Sequence, residues 1–230
     1  MAPLRAVVFD VDFTISEPGP DLGAQGYRRL GLRYGLTLDP ARHDSARRAA
    51  LAALERHPEL DHDEETWILF TERIIQGMGG VGDTHGAAVE MTRAWENADH
   101  FDLYPDVAAT LEELRAHGLK IGLLSNTARD LAVFVAHHGL QVDALLTSRV
   151  HGKTKPHESI FLELLGRLGV APEEAVMVGD SVEDDVEGAR AVGMRALLVD
   201  RERRYPERPD RLDGLTELAA ALQLGEALTG

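Results

Sequence analysis

"AVVFDVDFTIS", residues 6–16, runs Val7, Val8 and Phe9 directly into Asp10 and places a second carboxylate, Asp12, two residues further on. A short apolar run without polar alternation is the pattern of a strand buried on both faces. Such a strand has no use for acids unless its end faces something that needs them. Working outward, similar runs occur at Ile121–Leu124, Ala144–Leu146, Ala175–Val178 and Ala196–Val199, and helical patterns follow most of them, at Ala128–His138, Ser159–Leu168 and Asp184–Val192. Strands alternating with helices predict an α/β core, a parallel sheet with helices on both faces.

The region between the first run and the rest reads differently. "SEPGPDLG", residues 16–23, is a turn-rich exit in which Pro18, Gly19 and Pro20 continue neither strand nor helix. Only helical signals follow. Leu51 and Leu54 sit among alanines, and Trp67, Phe70, Ile74 and Met78 step at three or four residues along one helix face, a stripe that reads as core packing. "GMGGVGDTHG", residues 77–86, interrupts the helices, and Ala87–Ala98 leads back toward "FDLYPD". The expected organisation is a core of residues 1–17 and 101–230 around an all-helical insertion, 18–100. "DRERRYPERPDR", residues 200–211, reads as a charged, proline-punctuated loop before a last amphipathic helix.

Composition narrows the function. The chain has 230 residues, is 44 % hydrophobic and carries a formal net charge of -15. That balance disfavours a nucleic-acid partner, which calls for a basic face, and does not suggest a membrane-surface protein. No stretch approaches the roughly 20 apolar residues of a membrane helix, and Asp10 interrupts the N-terminal apolar run, so a soluble, cytoplasmic protein is the expectation. There is no cysteine, which removes disulfides, thiolate catalysis and thiolate metal sites; any metal must be held by oxygen or imidazole. Lysine occurs only at Lys120, Lys153 and Lys155.

The acids at the end of the first run have counterparts. "IGLLSN" ends on Ser125 and Asn126, and "VMVGDSVEDD" ends on Gly179 and Asp180, with Asp184 and Asp185 soon after. In an open parallel sheet the carboxyl ends of the strands share one edge, and ligands bind beyond it. With "TKP", residues 154–156, four separated pieces of sequence converge there. Asp10, Asp12 and Asp180 would repel one another unless a cation neutralises them, and Mg2+ suits hard oxygen ligands that leave room for water and phosphate oxygens. Lys155 adds a positive charge and Thr14 and Ser125 add hydroxyl donors. Together these describe a phosphoryl-binding pocket.

Each piece also has a plainer reading. A calcium loop is excluded for "DVDFT", because the sixth and twelfth positions are Ile15 and Asp21 rather than glycine and glutamate. The acids of "GDSVEDD" could serve a helix N-terminus, Ser125 and Asn126 could be an N-cap pair, and Lys155 could be a surface lysine. Independent capping and turn explanations do not account for this order of residues at successive strand ends.

The four segments resemble, in order, the four motifs of the haloacid dehalogenase (HAD) superfamily: "DVDFT" its DxDxT nucleophile motif, "LLSN" its Ser/Thr motif, "KP" its lysine motif and "GDSVEDD" its acidic motif. "LYPDVAATLEELRAHGLKIGLLSN" and "DDVEGARAVG" also read like that family's core, and the helical insertion resembles a C1 cap of subfamily I. The resemblance implies a Rossmann-like core and a Mg2+-dependent phosphatase acting on a small phosphate ester. In it Asp10 attacks phosphorus to give an aspartyl-phosphate, and Asp12 protonates the leaving oxygen and then takes a proton from water. Thr14 and Ser125, with backbone amides near Asn126, would hold phosphoryl oxygens, and Lys155 would offset charge. Mg2+ would be held by the Asp10 carboxylate, the Asp12 carbonyl and Asp180, supported by Asp184 or Asp185, of which spacing to "EGARAVG" favours Asp185.

Departures refine this reading. Phe13 stands where many members carry glycine, which leaves the turn without that residue's freedom at positive φ. Dehalogenases of the same fold lack the second acid, which is present here as Asp12; phosphonatases use a cap lysine, and none occurs between residues 18 and 100. A phosphomutase would keep both acids, and a non-catalytic phospho-ligand-binding protein is the alternative from another class. Specificity groups would come from the insertion, where His85, Arg29, Arg33, Trp67, Arg73 and Arg93 are candidates whose plainer reading is a solvated or core residue; His85 ranks first among them.

Overall fold

In the computed structural model, which describes residues 2–225, strand β1 (Ala6–Phe9) buries all four of its side chains. The chain continues through β2 (Ser16–Pro18) and the helices α1 (Ala24–Arg33), α2 (His43–Ala52), α3 (Glu64–Gly77) and α4 (Thr84–Ala94), and returns through β3 (Phe101–Leu103). Then follow α5 (Val107–Ala116), β4 (Lys120–Ser125), α6 (Leu131–His137), β5 (Ala144–Thr147), α7 (Ser148–His151) and α8 (Glu158–Leu168). The last part holds β6 (Ala175–Gly179), a π-helical turn at Val182–Glu187, α9 (Gly188–Ala191), β7 (Arg195–Val199), β8 (Arg211–Leu212) and α10 (Leu218–Ala221).

Six strands form one sheet in the order β5-β4-β1-β6-β7-β8, with every neighbouring pair parallel. Phe9 lies opposite Leu123 on one side and Val178 on the other. The chain builds leftward from β1 to β4 and β5, then crosses back to add β6, β7 and β8. The order therefore reverses beside β1, and the crevice beyond its carboxyl end is the expected binding position of an open α/β sheet.

Side-chain alternation sorts the strands' residues between two faces. Ala6, Val8, Leu124 and Met177 join Ile160, Phe161, Leu164 and Leu168 of α8 and Ala189 of α9 in one buried cluster. Each large side chain so buried contributes roughly 1.5–3 kcal/mol. Helix α5 also lies against β4 but gives none of its buried residues, Val107, Leu111 and Leu114, to that cluster, so it covers the other face. The α/β architecture with helices around a parallel sheet follows from the apolar runs as expected.

The chain divides into two compact units: Met1–Glu17, Leu103–Thr127 and Leu131–Gly230 in one, Pro18–Asp102 and Ala128–Asp130 in the other. Met1 and residues 226–230, which the expected core includes, lie outside the described residues. The second unit is helical, and its interior holds Tyr27, Ala46, Ala50, Ile74, Ile75, Met78, Ala88 and Met91. Gly77 lets α3 approach α2, since a Cβ there would lie 2.7 Å from that of Ala46. Of the apolar stripe on α3, Ile74 and Met78 are buried, whereas Trp67 and Phe70 are half-buried and stacked edge to face. Among the described residues no helix is long and apolar enough to cross a membrane.

Four local readings differ from the structure. The segment 128–138 is not helical throughout: α6 begins at Leu131, because residues 128–130 belong to the helical unit. There the Arg129 guanidinium lies 3.4 Å over the Phe101 ring and its Nε donates to the Trp95 carbonyl. Helix α4 starts at Thr84, inside the glycine-rich break, where the Asp83 side chain caps it by accepting from the Gly86 amide. Ser16–Pro18, read as a turn, is a strand that pairs with β3 in a two-stranded sheet, with Ser16 also bridging Asp12; proline is tolerated at such an edge. Arg211–Leu212, at the end of the supposed loop, adds the sixth strand to the sheet.

Candidate active site at the strand ends

Asp10 is the first residue past β1, and its amide still donates to the Val178 carbonyl at 2.9 Å, so the strand's pairing sets where its side chain begins. The carboxylate is buried. Its Oδ1 accepts from Lys155 Nζ at 2.6 Å and its Oδ2 from the Thr14 hydroxyl at 3.2 Å. Between them the chain turns sharply: the Ile15 and Ser16 amides both donate to the Val11 carbonyl, and the Phe13 amide donates to Ser16 O. Phe13 occupies this turn at φ +66°, the left-handed region that glycine adopts more readily.

Lys155 lies between α7 and α8 with its side chain 2 % exposed. Its ammonium donates to Asp10 Oδ1, to Asp185 Oδ1, also at 2.6 Å, and to the Leu124 carbonyl at 3.1 Å. Asn126, expected beside phosphate, spends its side chain on this loop: Oδ1 accepts from the Lys155 amide at 2.7 Å and Nδ2 donates to the Lys155 carbonyl at 3.1 Å. These two bonds tie the Asn126 side chain to the backbone of the lysine. Ser125 ends β4 and is buried.

After β6 the π-helical turn orients the second acidic group. Asp185 is buried, with Oδ2 accepting from the Ser181 amide at 3.0 Å, while Asp184 Oδ2 lies 3.5 Å from Asn126 Nδ2. The turn thus points Asp185, not Asp184, at Asp10. Gly179 makes room for it: a Cβ at that position would lie 2.2 Å from Asp185 Oδ2. Asp10, Asp180 and Asp185 each offer a carboxylate oxygen within 4.8 Å of the others. The Asp12 side chain is half-buried and outside this trio.

The electrostatics follow from crowding. Burial pushes the Asp10 carboxyl well above the ordinary carboxylate range; Lys155 opposes this, and Asp185 and Asp180 add to it. Burial, with Asp185 second, pushes Asp180 up to about 7 against the pull of Arg204. Burial alone would lower the Lys155 ammonium, but Asp10 and Asp185 outweigh it and raise it above its ordinary value. Lys155 pairs with Asp10 and Asp185 while Arg204 pairs with Asp180, so two cations face three closely spaced carboxylates, and a compact all-oxygen donor set that keeps an excess of negative charge fits Mg2+.

The candidate specificity residues all lie in the helical unit, engaged there or exposed. His85 Nδ1 is 3.2 Å from Glu72 Oε2, Arg29 pairs with Asp21, Arg33 with Glu90, Arg73 bonds the Ala53 carbonyl, and Arg93 is exposed. Two residues of the site were not foreseen. Arg204 Nη2 donates to Asp180 Oδ2 at 3.1 Å and to its carbonyl at 3.2 Å, and Arg201 Nη2 donates to the Thr14 carbonyl at 2.9 Å. The signal was present in "ALLVD", residues 196–200, an apolar run ending on an acid as "VVFD" does.

Known proteins share this sequence pattern and fold. Residues 4–193 match the family model of haloacid dehalogenase-like hydrolases. The chain is 38 % identical over 149 residues to phosphoserine phosphatase of Thermus thermophilus, a match spanning 61 % of this chain and only 58 % of that relative's length. It is 30 % identical over 220 residues to glyceraldehyde 3-phosphate phosphatase of Methanopyrus kandleri, covering 91 % of this chain and 89 % of the relative. The crystal structure of a HAD phosphatase from Thermococcus onnurineus superimposes with a TM-score of 0.65 at 30 % identity, over 95 % of this chain and 98 % of that one. The chain belongs to the haloacid dehalogenase-like hydrolases.

Proposed function

We propose that this protein is a Mg2+-dependent phosphatase that hydrolyses a small phosphorylated metabolite through an aspartyl-phosphate on Asp10. The observation that carries the reading is the single buried ammonium of Lys155 shared by Asp10 and Asp185, with Asp180 close enough to complete a trio of carboxylates. Relatives named for phosphoserine and for glyceraldehyde 3-phosphate support the substrate class. A helical unit inserted after β2 supports its assignment as the cap.

In this reading Lys155 and the Thr14 hydroxyl hold the Asp10 carboxylate in one orientation, and Asp10 displaces the ester oxygen from phosphorus. Asp12, on the turn after β1, gives the leaving oxygen its proton and recovers one from the water that then attacks phosphorus. Ser125 and the amides after β4 bind phosphoryl oxygens. Asp10, Asp180, Asp185 and the Asp12 carbonyl would hold Mg2+, which when bound neutralises charge on the transferring group. Asp12 is the residue that separates this chemistry from halide displacement, which needs no proton.

The test is phosphate release from p-nitrophenyl phosphate, with and without EDTA, by the wild type and by Asp10→Asn. Release that needs Mg2+ and disappears in the variant is expected. Binding of phosphate esters with no turnover would favour a phospho-ligand-binding protein, and intact turnover by Asp10→Asn would refute the mechanism.

A further inference from the structure

The segment 200–205, "DRERRY", is more than a charged connection. Asp200, fully buried at the end of β7, accepts from the amides of Arg204 at 2.8 Å and Tyr205 at 2.7 Å and from Arg211 Nε at 3.1 Å. These bonds outweigh the burial that would raise its carboxyl and hold it below the ordinary range, so the loop is bent around a charged acceptor. The bend delivers two arginines to two different parts of the site. Arg201 forks onto Asp106, with 2.9 Å from each terminal nitrogen to one carboxylate oxygen, stacks 3.8 Å over the Tyr104 ring, and donates to the Thr14 carbonyl. Thr14 is the residue whose hydroxyl reaches Asp10. Arg204 grips both the carboxylate and the carbonyl of Asp180.

We infer that Arg201 and Arg204 are positioning residues of the phosphoryl-transfer site, Arg201 fixing the turn that carries Thr14 and Arg204 fixing the orientation of Asp180. The inference rests on the function proposed above. Neither residue is a catalytic residue in this account, since each acts through another group. Geometry favours orientation over field for Arg204, because its side chain is 41 % exposed and water screens its charge, while its two hydrogen bonds on one residue leave Asp180 a single direction. A planar fork is what Arg201 needs to reach a carboxylate and a carbonyl together, and lysine cannot reproduce it.

The experiment uses the full chain with Arg201→Lys, Arg204→Gln, Arg204→Lys and, as control, Arg203→Gln, whose side chain is 73 % exposed and faces Asp213. Thermal melts establish that each variant folds. Mg2+ binding is read by calorimetry without substrate, and p-nitrophenyl phosphate turnover is read as kcat and KM at saturating Mg2+. Arg204→Gln is expected to weaken Mg2+ binding about tenfold or more, as loss of a partner behind a metal ligand does, with partial rescue by Arg204→Lys. Arg201→Lys is expected to lower kcat by about tenfold with KM within about threefold, because the loss is one of alignment. Arg203→Gln should match the wild type. Unchanged or tighter Mg2+ binding by Arg204→Gln, or an unchanged kcat in folded Arg201→Lys, would overturn the inference while leaving the phosphatase reading intact. A wild type that neither binds Mg2+ nor releases phosphate would remove both, by failing the reading beneath it.

Discussion

Replacing Lys155 by methionine keeps the length and apolar stem of the side chain and removes one buried charge. In the wild type that charge meets Asp10 and Asp185 at 2.6 Å each and the Leu124 carbonyl at 3.1 Å, and the side chains of Lys155, Asp10 and Asp185 are all buried. Removing one partner of a buried ion pair costs about 3–5 kcal/mol, because the remaining charge is stranded, and here two carboxylates are stranded at once. With a urea dependence of about 3 kcal/mol per molar for a chain of this size, the denaturation midpoint measured in EDTA should fall by roughly 1–2 M. The sign with pH follows from what is left behind. Stranded carboxylates can take up protons, so the deficit should be greatest near about pH 8 and shrink toward about pH 5. Circular dichroism against urea at both pH values measures this. A midpoint loss below about 0.3 M, or one that grows on acidification, would refute the view that Lys155 neutralises this pair.

Three further outcomes are expected. Gly179→Ala places a Cβ 2.2 Å from Asp185 Oδ2 and 2.3 Å from its Cγ, so the carboxylate must move off Lys155; a stability loss of about 1–3 kcal/mol and a marked drop in calorimetric Mg2+ affinity should accompany each other. At Phe13, held at φ +66°, Phe13→Gly should be more stable than Phe13→Ala by about 1 kcal/mol, the reverse of the usual order; a chemical-denaturation series giving alanine the advantage would show that the turn is unstrained. Burial would raise the Asp106 carboxyl, but the Arg201 fork and the Leu215 amide hold it below the ordinary range. Its stabilising contribution is therefore complete above the unfolded value of about 3.9 and lost as the pH falls through the depressed folded value. The stability gap between wild type and Asp106→Asn should be full at about pH 7 and narrow below about pH 4, as read by urea titrations across that range.

Much of the fold was legible because its signals are local. Apolar runs such as Val7–Phe9 and Val176–Val178, without polar alternation, announce strands covered on both sides, and the polar groups that end these runs gather at the sheet edge that open α/β folds offer to ligands. The connecting segments were less legible. Ser16–Pro18 and Arg211–Leu212 owe their extended form to a partner strand rather than to their own residues, and Ala128–Asp130 leaves α6 because Arg129 is drawn onto Phe101 and Trp95. No window of a few residues contains those partners.

By itself, then, the sequence determined an α/β sheet, pointed to a helical insertion, and offered a set of acids and hydroxyls at successive strand ends with one lysine ahead of a helix. Only the tertiary structure decided how they share charge. Lys155 meets Asp10 across 145 positions of chain and Asp185 across 30. Spacing favoured Asp185 over Asp184, and the π-helical turn makes the choice, since neighbouring residues on a helical turn point in different directions. Arg201 and Arg204 gain their places because Asp200 bends their loop around a buried carboxylate. Propensity and hydrophobic pattern act over a few residues and can be read along the chain; the strength of a charge pair depends on separation and burial in space, and both exist only once the strands have paired.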